Sequence, residues 1–130
     1  MRLRIFDSQG ELQEKYDGNY VLDDIEAGNL FGTSDVVLSI QTNGMRSYIQ
    51  DTVIWLLPDV GKPKQLLHAV GALRRFQPTG SGANGLPGVW IDRETYDGVH
   101  AQTRGRKFEF WQWNSVSKTL SLGPVKAPPR

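Results

Sequence analysis

Apolar and polar positions recur with short, definite periods along this chain, and each period predicts an element. Arg2–Asp7 sets Leu3 and Ile5 against Arg2 and Arg4, the period-two pattern of a short strand. Ser8-Gln9-Gly10 predicts a turn and Glu11–Tyr16 a helical turn. Residues 17–33 have Leu22, Ile25 and Leu30 as apolar anchors and read as loop, with a short helix near Asp23–Ala27. Asp35–Gln41 (DVVLSIQ) is rich in β-branched residues and predicts a buried strand. Asn43-Gly44 supplies two residues that tolerate positive φ, so a type I′ hairpin turn is expected there. A returning strand is expected over Arg46–Leu57, ended by Pro58, which cannot donate to a ladder.

Pro63–Phe76 carries the helical period. Leu66, Val70 and Leu73 recur at i, i+4 and i+7, with Ala69 and Phe76 near the same stripe. Pro63 suits a first helical turn, and Arg74 and Arg75 suit a helix C-terminus. Gly71 is the weak position in such a helix. The Gly- and Pro-rich stretch 77–88 predicts a loop. Strands are expected at Val89–Asp92, Gly98–Arg104, Lys107–Trp113 and Val116–Leu122, with turns at Arg104-Gly105 and Asn114-Ser115. The sum is an α+β domain over residues 1–123. It has a mostly antiparallel sheet of about six or seven hairpin-connected strands and one main helix packed on it. Residues 124–130 (PVKAPPR) read as an extended or disordered tail.

Composition narrows the class. A chain of 130 residues fits one domain, and the absence of cysteine excludes a disulfide scaffold, a CxxC redox protein and a zinc ribbon. The basic start MRLRIFDSQGELQEK has no apolar run long enough for a signal peptide, and the longest apolar stretch is Val53–Leu57 (VIWLL). A cytoplasmic protein with no membrane association is therefore expected. The formal net charge of +1 conceals a segregation. Residues 1–35 hold eight acids and three bases, net −5, and residues 36–130 hold six acids and twelve bases, net +6. Such asymmetry points to a charged partner, unless the two parts fold together and neutralise each other.

Candidate chemistry is sparse. Gly80-Ser81-Gly82-Ala83-Asn84-Gly85 matches G-x-G-x-x-G, but a dinucleotide loop needs a strand before it and a helix after it. Here a helix is expected before and a strand after. The acids from Asp17 to Glu26 fail the EF-hand pattern, because Val21 takes a ligand position and Leu22 the glycine position. No metal or other cofactor is expected. His68 falls off the apolar stripe and reads as a surface residue. His100, with Arg93 and Glu94, is the one candidate for acid–base chemistry, and no partner histidine completes it. No G-x-S-x-G motif is present.

The segment from Arg104 to Trp113 interleaves Arg104, Arg106 and Lys107 with aromatics. It misses the RNP1 pattern where Arg106 and Lys107 stand in place of an aromatic and a small residue. Alternation puts Phe108 and Phe110 on one face and Glu109, Trp111 and Trp113 on the other. That arrangement needs either a sheet covered on both sides or an exposed aromatic patch.

We therefore expect a protein-binding module rather than an enzyme. In kind it is like an immunity protein that neutralises a toxin or enzyme through an acidic surface. Asp17, Asp23, Asp24, Glu26 and Asp35 would face a basic protein partner, with Trp111 and Trp113 as aromatic anchors. The alternatives are a nucleic-acid-binding module built on Arg74, Arg75, Arg104, Arg106 and Lys107, and an assembly subunit of a phage or secretion machine.

Overall fold

A computed structural model describes residues 2–6, 9–17, 20–44, 50–82, 85–96 and 103–123. Among these the molecule is all-β. The strands are β1 (Arg2–Phe6), β2 (Leu12–Asp17), β3 (Tyr20–Gly28), β4 (Val36–Gly44), β5 (Gln50–Leu57), β6 (Lys64–Gln77), β7 (Gly88–Tyr96), β8 (Thr103–Asn114) and β9 (Thr119–Leu122). β1 and β2 form an antiparallel hairpin. β3 to β9 form one sheet whose neighbours are consecutive in the chain and antiparallel, an up-and-down meander.

The expected α+β class is corrected, since the described residues contain no helix. The segment assigned to the main helix is β6, the longest strand. Its side chains alternate, with Leu67, Ala69 and Gly71 buried and His68 exposed. Leu, Ala, Lys, Gln and Arg favour helices intrinsically, but strand pairing on both sides overrides that preference. Residues 64–70 pair with β5 and residues 71–77 with β7. A helix here would leave β5 and β7 each with one edge unpaired.

Smaller corrections follow the same logic. Of the expected helical turn Glu11–Tyr16, Leu12–Tyr16 fall on β2, and the expected short helix near Asp23–Ala27 is part of β3. Asn43 and Gly44 are not the turn but ladder residues, opposite Gln50 and Tyr20. The connection from β4 to β5 lies outside the described residues. Gly105 pairs with Thr95 inside β8, so no turn separates two strands there.

The sheet buries side chains on both faces. Val37, Ile54, Leu56, Leu67, Val89, Ile91 and Trp113 share the main core with Phe31. Ile40, Val53 and Trp55 form a second cluster on the opposite face of β4 and β5, and Ile5 of the β1–β2 hairpin packs onto it. This explains why Val53–Leu57 is continuously apolar, because such a run suits a strand buried on both sides.

β7 and β8 repeat the pattern. Val89 and Trp113 face the main core, while Trp90 and Phe110 pack together on the other face with centroids 5.1 Å apart. Trp90 Nε1 donates to Gln77 Oε1, and Gln77 Nε2 donates to the Leu86 carbonyl. The loop after β6 thereby helps cover that face. Of the two arrangements the sequence allowed, this is the sheet covered on both sides.

Candidate functional site

Among the described residues β3 is an edge strand, paired with β4 alone. Its residues from Leu22 to Ala27 are all exposed. Cross-strand partners share a face, so the register sorts its side chains. Asp24 lies opposite Gln41 and Glu26 opposite Ser39, which places both acids on the face that carries the main core. Ile25 lies opposite Ile40 and Leu22 opposite Thr42, on the other face. Leu22 and Ile25 are 40% and 45% exposed, large apolar side chains left uncovered at the sheet margin. The register shifts between Leu22 and Asp24, so Asp23 is a bulge residue, and its carboxylate accepts a hydrogen bond from Gln50 Nε2 at 2.9 Å.

The remaining sequence candidates do not join this set. Asp17 ends β2 on the separate hairpin, opposite Arg2. Asp35 sits before β4 with its side chain 14% exposed and accepts from Lys118 Nζ at 2.7 Å. Thr33 Oγ1 donates to its other oxygen. The Lys118 bond holds the Asp35 carboxyl below its ordinary value, against the opposing effect of burial, with help from Thr33. That pair clamps the segment before β4 to the turn after β8. Trp113 is 2% exposed and stacked on Phe31 at 4.9 Å. Trp111 is partly buried against the same core, and its buried indole N–H has no acceptor among the described residues.

His100 lies outside the described residues, and Glu94 is placed on β7 by its backbone alone. Arg93 lies 3.4 Å from Glu109. His68 is exposed, with Nε2 3.5 Å from Asp51. The G-x-G-x-x-G stretch follows a strand, not the expected helix, and leads into β7. Among the described residues no group of three His, Asp or Glu side chains gathers as a metal site. No helix among them is long and apolar enough to cross a membrane. Of the basic set, Arg74 and Arg75 are exposed on β6, and the Arg74 guanidinium lies 5.9 Å from the Phe108 ring centroid. Arg104, Arg106 and Lys107 lie on β8, separated from that pair by β7.

One cleft of about 540 Å³ opens between β3 and the second half of β6. Asp24 and Glu26 line one wall, and Arg74, Arg75 and Phe76 line the other. Asn29, Leu30, Gln41, Leu73 and Pro78 complete the lining. Sequence inspection singled out the acids but not Gln41, and it took Leu22 and Ile25 only as apolar anchors of a loop. The signal for the acids' common face was present in their spacing, since residues two apart share one face of a strand. It is read correctly only when the segment is known to be a strand. No family model, curated protein or solved structure matches this chain.

Proposed function

We propose that this chain is a protein-binding module that docks through the edge strand β3, and that it acts as an inhibitor or immunity protein against a partner with a basic surface. The observation that supports this is the mixed character of β3. Asp23, Asp24 and Glu26 alternate with exposed Leu22 and Ile25 along a strand with one free edge. Charges and a bulge on an edge strand guard against unwanted pairing. Two large exposed apolar side chains on that strand work against such a guard. Together, acids and apolar groups suit a specific interface: the charges steer a basic partner, and the apolar groups supply burial. Trp113 takes no part, because it is core. Asp35 takes no part either, because Lys118 holds it.

The test is capture of a partner from native lysate at low salt, followed by titration of the purified partner. Charge reversal of Asp24 and Glu26 to Lys should weaken binding at least about tenfold, mainly through slower association, with the wild-type affinity falling as salt rises. Absence of any partner at low salt, or equal binding by the reversed variant, overturns the proposal.

A further inference from the structure

The cleft between β3 and β6 holds charges of both signs that do not neutralise each other. Asp24 and Glu26 form no ion pair with Arg74 or Arg75, although all four line the same space. Opposite charges that can reach each other usually close into pairs. The lining also includes Leu30, Leu73 and Phe76.

Gln41 adds an aimed donor. It is 9% exposed, on β4, and its Oε1 accepts from the Leu73 N–H at 3.2 Å. A backbone N–H can only donate, so this bond fixes which end of the amide is the oxygen. The Nε2 group has no acceptor among the described residues, and Gln41 lines the cleft. The register shift between Leu73 and Arg75 accompanies this bond, because a ladder disrupted by a bulge leaves a donor for another acceptor.

We propose that this cleft binds a small zwitterion of amino-acid or dipeptide size with an apolar side chain. Asp24 and Glu26 receive its ammonium group, Arg75 and the Gln41 Nε2 receive its carboxylate, and Leu30, Leu73 and Phe76 contact the apolar part. The volume lies within the range of small-molecule sites. Each charged end of the ligand meets groups able to make charge-assisted hydrogen bonds to it, which are the stronger kind.

The site shares Asp24 and Glu26 with the docking strand. It is therefore tested on the isolated chain without a partner, and its failure leaves the docking proposal standing. The probes are L-leucine, L-phenylalanine and the dipeptide Leu-Phe, followed by amide NMR. Isoamylamine and isocaproate serve as single-charge analogues. The expected result is saturable shifts of the Gln41 side-chain amide and of the Leu73 and Arg75 backbone amides by at least one zwitterion at millimolar concentration. Each single-charge analogue should bind at least about tenfold more weakly. Arg75→Gln and the pair Asp24→Asn with Glu26→Gln, all at exposed positions, should each abolish saturation while leaving the rest of the spectrum in place. Lack of saturation by every zwitterion, or equal binding by a single-charge analogue or by these variants, overturns the proposal.

Discussion

Asp35 shows how one residue's environment decides its role. Its carboxyl is held below the ordinary value, chiefly by the Lys118 bond. A carboxyl held low in the folded state adds stability that is fully present above its ordinary value of 3.8. That contribution is lost as pH falls through the lowered folded value. Asp35→Asn should therefore cost about 1 kcal/mol at neutral pH, a modest figure because Lys118 is 42% exposed. The same change should flatten the acid limb of the stability profile, measured by urea unfolding between neutral pH and pH values below that of an ordinary aspartate. Nothing local in Thr33-Ser34-Asp35 marks it out. Its partner lies 83 residues away in the turn between β8 and β9.

At the scale of elements, β6 is where sequence and structure part. Leu66, Val70 and Leu73 satisfy a helical period, while Leu67, Ala69 and Gly71 satisfy a strand period in the same residues. In a run this rich in apolar and small side chains both patterns coexist, and intrinsic propensity favours the helix. Gly71 resolves the ambiguity physically. Its φ is +155°, and a Cβ there would lie 2.6 Å from the Asp92 carbonyl oxygen and 3.0 Å from the Arg93 Cα. The residue that would weaken a helix is the point where β6 passes from β5 to β7.

Gly71→Ala should therefore destabilise the protein by about 2–3 kcal/mol, read by chemical denaturation. A helix would instead gain stability from that change. Far-UV circular dichroism should show a β spectrum without the helical double minimum. Leu67→Ala, at a site buried against the core, should cost about 2–4 kcal/mol.

At the scale of the whole molecule, the turn between β3 and β4 ties distant parts of the meander together. Phe31 stacks on Trp113 of β8 and meets the edge of Phe76 of β6. Its carbonyl accepts from the Thr79 N–H and from Thr79 Oγ1, just beyond β6. Asp35 reaches Lys118 between β8 and β9. Phe31→Ala should cost about 3–5 kcal/mol. It should also raise hydrogen exchange at both the β3–β4 and β8–β9 turns, which a purely local loss would not do.

The sequence by itself determined a mostly antiparallel sheet, strands at Asp35–Gln41, Val89–Asp92 and Lys107–Trp113 that overlap β4, β7 and β8, and a stop at Pro58. These depend on short-range patterns of β-branched, aromatic and turn residues. It also determined the charge segregation, but not the use of each charge. Tertiary structure alone decided that β6 is a strand, because that choice belongs to its neighbours β5 and β7. It alone sorted the acids, placing Asp24 and Glu26 at a cleft, Asp23 in a bulge and Asp35 in a clamp. Coulomb interactions depend on distance in space, and separations as large as that from Asp35 to Lys118 are invisible until the sheet folds.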